Sequence, residues 1–320
     1  MNVCCFGELL VDVTPYGVSD KGYEVFEFNP GGAPANVACA LSILDKRASF
    51  IGQVGDDHFG HMLSGVLQEK RVDLEGLLFS KKYLTTLAIV SLQSDGERSF
   101  SFYRKDGADV MISTEDIFFM KIDEADVFHF GSVSMTHSPS KETTQKLVAY
   151  AKSKGKKISF DVNLRELLWS DLSIAYQEII KVLPYVDILK VSEEELEFLS
   201  KSTNHDESVK KLSATYGVPL ILVTYGSKGS AVYFKDEFIH VESFKVDAID
   251  ATGAGDAFYG TFLSLLLDKI DQFDEVNVQQ LTDMVRFANG AGALATLKKG
   301  AIGSLPTRSS IQSFIDGKVV

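Results

Sequence analysis

An α/β chain with a mostly parallel sheet, helices on both of its faces and a small antiparallel β lid is the fold class this sequence predicts. Three observations carry that prediction. Short β-rich runs alternate with helical spacing from end to end, and two stretches break the alternation with antiparallel character. The 320 residues are 45% hydrophobic, ample for a large core. The same composition excludes some roles. A net charge of -12 argues against a nucleic-acid partner, and no apolar run reaches membrane-spanning length. The start, Met1 to Gly7, lacks the basic segment of a signal peptide, so a cytoplasmic protein is expected. Cys4, Cys5 and Cys39 have neither metal-ligand spacing nor an even count and read as buried fillers in a reducing compartment. Only His58 and His61 among the histidines lie close together, and they read as a solvated helix face.

In chain order, core strands are expected at Val3 to Phe6, Ser49 to Val54, Val127 to Phe130, Ile158 to Val162, Ile188 to Val191 and Leu220 to Thr224. Helical spacing falls between them at Val37, Leu41 and Leu44, at Phe59, Leu63 and Val66, and at Leu281, Val285 and Ala288. The exceptions are Tyr23 to Phe28 and Thr86 to Arg104, the latter turning at Ser94-Asp95-Gly96. Both are too short for an independent domain. We therefore expect one domain over 1–320, with a lid from about 15–30 and 85–107 that covers a ligand. Its unpaired edges would admit a second copy, giving a homodimer through the lid.

Residues 250 to 256, Asp-Ala-Thr-Gly-Ala-Gly-Asp, precede a helical pattern at Phe258, Phe262 and Leu265. Glycines let the backbone turn tightly and approach a ligand, and the first amides of a helix attract anions. Asp256 sits at that helix start. An anion hole beside a potential base is what phosphoryl transfer to an alcohol requires, whereas simple compensation of the helix dipole is the structural alternative. A second cluster, Gly31-Gly32-Ala33-Pro34-Ala35-Asn36, places proline at a helix start and a polar Asn36 one turn into an apolar helix. Asp12, read as ending the first strand, could meet Asn36 across a small ligand.

Gly31 to Leu44, then Ile51 to Gly60, then Asp250 to Asp256, in that order, resemble the ribokinase-like (PfkB) family of carbohydrate kinases over essentially the whole chain. The resemblance implies a three-layer α/β/α ribokinase-like fold and an ATP-dependent sugar kinase. It makes Asp256 the base for the attacking hydroxyl, with the amides of Gly253, Ala254 and Gly255 stabilising the transferred phosphoryl group. Asp12, Gly31, Gly32 and Asn36 would hold the sugar.

Ser192 to Glu195 reads by itself as a capping box; the family has Asn where Ser192 stands, and its glutamate, here Glu195, helps organise Mg2+ through water. Thr224, Gly226, Ser227 and Gly229 lie in a plain glycine turn that the resemblance assigns to the nucleotide, with Asn289 near adenine. Asp250, Thr252, Gly300 and Ser304 match a ring for a monovalent cation, with K+ the expected ion. Phe102 to Lys105 and Asp161 to Trp169 resemble the fructokinase subgroup, making fructose the first choice of acceptor. The two stretches are shared with 2-keto-3-deoxygluconate kinases, where Arg104 and Arg165 would clamp a carboxylate. A non-catalytic sugar or nucleotide sensor of the same fold is the further alternative.

Overall fold

In the computed structural model, which describes residues 1–92 and 98–318, alternation along each strand decides the layering. Successive side chains of a strand point to opposite faces, so a strand buried on both sides must be apolar throughout. Val3 and Cys5 join one hydrophobic core while Cys4 and Phe6 join the other. Leu220 and Leu222 divide from Ile221 and Val223 in the same way. Cys4, Cys5 and Cys39 are free and buried, as filler residues would be.

The strands are β1 (Asn2–Phe6), β2 (Leu10–Val18), β3 (Glu24–Gly31), β4 (Arg47–Gly55), β5 (Asp73–Ser80), β6 (Leu87–Leu92), β7 (Arg98–Tyr103), β8 (Val127–Gly131), β9 (Lys157–Asp161), β10 (Ile188–Ser192), β11 (Leu220–Thr224), β12 (Ser230–Phe234) and β13 (Glu237–Val241). Nine of them form the large sheet, ordered β13-β12-β11-β10-β9-β8-β1-β4-β5 among the described residues. It is parallel from β11 to β5, and β12 and β13 run antiparallel at one edge. The helices are α1 (Ala33–Ile43), α2 (His58–Glu69), α3 (Met120–Asp123), α4 (Ser140–Ser153), α5 (Leu172–Val182), α6 (Glu193–Ser200), α7 (His205–Tyr216), α8 (Ala254–Leu266), α9 (Val278–Ala295) and α10 (Arg308–Ile315). Residues of α1, α8 and α9 pack into one core and residues of α4 to α7 into the other, which makes three α/β/α layers. No helix of the described residues is long and apolar enough to cross a membrane.

The lid is a four-stranded sheet ordered β3-β2-β6-β7. Its two hairpins are antiparallel as expected, but β2 and β6 pair in parallel, so the lid is mixed. Two hairpins from distant parts of the chain meet along their inner strands, and strand periodicity carries no information on that relative direction. The same sheet corrects the placement of Asp12, which lies within β2 of the lid and not at the end of β1. The expected Ser94-Asp95-Gly96 turn lies outside the described residues.

Candidate active site

Parallel α/β sheets bind ligands beyond the carboxyl ends of their strands, and the candidate residues collect there. Helix α8 begins at Gly253 with φ 76°, a left-handed conformation that glycine adopts without steric cost. A methyl group on Gly253 would also meet Ala301 at 2.7 Å. Gly253, at the cap position, brings no side chain to cap this helix. Ala254 N–H turns back to Ala251 O at 3.2 Å and Ala257 N–H donates to Gly253 O at 2.8 Å, so the anion-facing amides narrow to those around Gly255 and Asp256. Asp256 accepts a 2.7 Å hydrogen bond from Asn36 Nδ2, while the buried Asn36 Oδ1 has no partner among the described residues. Burial and then the charge of Asp161 push the Asp256 carboxyl up to about 6, against the pull of Asn36, Lys190 and Arg165.

The lid supplies Asp12. Its carboxylate lies so close to Gly31 that any side chain there would collide with it. Burial raises Asp12 to about 6, with Arg165 opposing and Asp256 and Asp250 adding to the rise. Asp12, Gly31, Asn36, Arg165 and Asp256 therefore border one space, although they come from the lid, α1, the segment after β9 and α8. Arg104 is spent elsewhere. It is buried, Nε and Nη2 hold Asp109 Oδ2 at 2.8 and 2.7 Å, Nη1 donates to Thr136 at 2.7 Å, and Nη2 also donates to Val133 O at 3.1 Å. Most of its fork is thus committed within the protein.

Lys190 was not given a role from the sequence, and Asp161 entered there only as the first residue of the Asp161 to Trp169 stretch. They are register partners on adjacent parallel strands, and Lys190 Nζ donates to both Asp161 oxygens at 2.9 and 3.0 Å. A methyl on Gly255 would sit 3.4 Å from Nζ. Because Cα–Cβ bonds tilt toward the start of a helix, this places the ammonium beside the mouth of the α8 anion hole. Burial alone would lower the Lys190 pKa, but Asp161, Glu195 and Asp256 together hold it above the ordinary value. The available signal was a lysine inside the apolar run Ile188 to Val191, which a buried strand tolerates only with a partner.

Glu195 completes the capping box: Ser192 Oγ accepts from Glu195 N at 3.2 Å and Glu195 Oε2 from Ser192 N at 2.8 Å. Its other oxygen accepts from Leu164 N at 2.6 Å, so Glu195 ties the segment carrying Arg165 to α6. Burial raises its pKa, and Lys190 counteracts. Both oxygens retain lone-pair capacity for a water, which leaves Glu195 compatible with an outer-shell magnesium. Among the described residues, Glu193, Glu197 and His205 also bring ligand atoms within 4.8 Å of one another, a group that omits Glu195.

Ser192, Glu193, Glu194, Thr224, Tyr225, Gly226 and Ser227 line a cleft of about 430 Å³. Gly229 closes the same turn, with Tyr225 N–H donating to its carbonyl at 2.8 Å. Asn289 is tied into the fold: it accepts from Ser230 Oγ at 2.7 Å and donates to Val241 O at 3.0 Å, fastening α9 to β12 and β13. Around Asp250, one carboxylate oxygen accepts from Thr252 N and Oγ1 at 3.0 and 2.7 Å and the other from Gly300 N at 3.1 Å. Ser304 follows in the next turn, its hydroxyl on Ala301 O at 2.9 Å. The Ile51 to Gly60 motif is structural, since Asp57 caps α2 through Gly60 N at 2.8 Å and also accepts from Thr85 N at 2.9 Å.

A three-layer body, a small sheet rising from β1 and a glycine helix start at the strand ends together frame the site. The model of the pfkB family carbohydrate kinase matches residues 1–308, and the chain belongs to that family. Its relatives include probable fructokinase-2 of Arabidopsis thaliana, 43% identical over 98% of this chain and 95% of that protein. Among solved structures, fructokinase with bound ATP from Xylella fastidiosa matches at TM-score 0.90 and 32% identity, covering 99% of this chain and 98% of its own. A double-mutant fructokinase from Vibrio cholerae O395, in a form with fructose, ADP and potassium bound, matches at TM-score 0.87 and 36% identity, covering 98% and 97%.

Proposed function

We propose that this chain is an ATP-dependent fructokinase that transfers the γ-phosphoryl group of ATP to a primary hydroxyl of fructose. The observation that carries the reading is the Asn36–Asp256 pair at the uncapped start of α8. Asp256 is the base that takes the hydroxyl proton. The amides about Gly255, from the turn Gly253-Ala254-Gly255, and the Lys190 ammonium neutralise the transferring group. Asp12, Gly31, Gly32, Asn36 and Arg165 hold the sugar, and the orphaned Asn36 Oδ1 is an acceptor for one of its hydroxyls. ATP lies along Thr224, Gly226, Ser227 and Gly229, with Asn289 shaping the wall behind it. Magnesium, when bound, would supply charge neutralisation on the triphosphate, and Glu195 would hold its waters. Asp250, Thr252, Gly300 and Ser304 would hold a potassium ion, as one is bound in the Vibrio relative; equal rates in potassium and tetramethylammonium would remove this assignment.

Arg104 separates the acceptors. A carboxylate clamp for 2-keto-3-deoxygluconate calls on both arginines, and Asp109 already neutralises Arg104. A neutral sugar asks only for Arg165. The test is product identification by 31P NMR after incubation with ATP, magnesium and fructose. A phosphomonoester coupled to a methylene supports the reading, and ATP consumption without a sugar phosphate removes it. We further place the enzyme in the cytoplasm, where its three thiols stay reduced. We also propose a homodimer formed through the lid, whose exposed Tyr16, Val18, Tyr23 and Tyr103 give it apolar surface. Sedimentation as a monomer at micromolar concentration would contradict that assembly.

A further inference from the structure

Glu8 is buried at 3% exposure in the crossing from β1 to the lid strand β2, and the mechanism above does not use it. Its Oε1 accepts from Ala33 N at 3.0 Å. Ala33 is the first residue of α1, and Gly32 before it offers no side-chain cap. A helix start leaves its first amides without intrahelical partners, so Glu8 acts as a cap delivered from a distant part of the chain. Gly32 has φ 116°, and any side chain there would run into the Glu8 carbonyl, so the glycine turn is seated directly on Glu8. One turn further along α1, Asn36 holds Asp256.

We propose that Glu8 is a positioning residue of the acceptor pocket, fixing the Gly31-Gly32 turn and, through α1, the orientation of Asn36 toward Asp256. The inference rests on the sugar-kinase reading of that pocket. What matters is the reach of the side chain to Ala33 and not its charge. Burial pushes the Glu8 carboxyl up to about 7, with Arg104 lowering it and Asp109 raising it, so a neutral amide of equal length is a close substitute. Oε2 has no partner among the described residues, so the second oxygen can be replaced without loss of a bond.

The test compares Glu8→Gln, which keeps the reach, with Glu8→Asp, which keeps the charge and loses it. Both are assayed with the acceptor of a sugar panel that the wild type turns over best. For Glu8→Asp we expect the acceptor KM to rise about tenfold, as for one lost buried hydrogen bond. The KM for ATP should stay within about twofold, and Glu8→Gln should match the wild type within about threefold. A purely structural role would lower the thermal midpoint of Glu8→Asp and leave both KM values alone, which would overturn the proposal. Equal damage in the two variants would overturn it too, since charge would then be required as well as reach. Failure of fructose itself in the panel would count against the acceptor assignment and leave the Glu8 comparison intact.

Discussion

Two helix starts at the same edge of the sheet carry a carboxylate at the same position, the third residue of the helix, and put it to different use. At α6, Glu195 closes a capping box with Ser192 and its second oxygen holds Leu164 N. At α8, glycine replaces the capping side chain, and Asp256 accepts a hydrogen bond from the side chain of Asn36. The first start has its reciprocal capping bonds made. The second has spare donors, a carboxylate raised to about 6 and a lysine beside it. A capped start stabilises the fold, whereas an uncapped one beside buried charge is available to a ligand.

The largest effect that could break this comparison is Asp256→Asn. We expect turnover with sugar to fall about a thousandfold, the scale of general-base catalysis. ATP affinity by calorimetry should be nearly unchanged; near-normal turnover would show that Asp256 is not the base. Lys190→Met should also cut turnover, and it leaves Asp161 as an unpaired buried charge. Breaking such a pair costs about 3–5 kcal/mol, so a denaturant titration should show the loss together with the kinetics. Unchanged stability would mean that the ion pair does not form in solution.

The pH profile is a smaller and sharper test. A base raised to about 6 is lost as pH falls through 6, so kcat/KM should decline below that value and not near the ordinary 3.8. At pH 5 about a tenth of the plateau should remain. Replacing Asn36 with Leu removes a hydrogen bond that favours the carboxylate and should move this limb upward. Smallest of all is Ser192→Ala at the capped start, expected to cost about 1 kcal/mol of stability with turnover within about twofold. A collapse of turnover there would erase the distinction between the two helix starts.

How much of this was legible in the sequence depended on the range of the interaction. The α8 start, the capping box and the core strands are local patterns, set by residues a few positions apart, and they stand where periodicity and spacing placed them. Asp12 was assigned to the wrong strand because β1 breaks after Phe6 and the lid begins at Leu10. The parallel pairing of β2 with β6 and the burial of Arg104 are long-range outcomes. Asp109 lies five positions further on, but Val133 and Thr136, 29 and 32 positions away, reach Arg104 only when the chain folds. Asn289 is expected near adenine from the resemblance alone, and only the structure reveals that its amide fastens α9 to Ser230 and to the carbonyls of Val241 and Glu242. Lys190 and Glu8 are visible in sequence as charges within apolar runs, but only their partners give them a role.

The α8 start is proposed to serve a neutral ketohexose, with Arg104, held by Asp109, unavailable as a carboxylate clamp. An internal competition measures it directly: fructose and 2-keto-3-deoxygluconate at equal concentration, limiting enzyme, and the two phosphorylated products quantified at low conversion. We predict that fructose phosphate dominates by at least about tenfold, equivalent to about 1.4 kcal/mol in transition-state binding. A product mixture dominated by the acidic sugar would contradict a neutral acceptor and return Arg104 to the acceptor site.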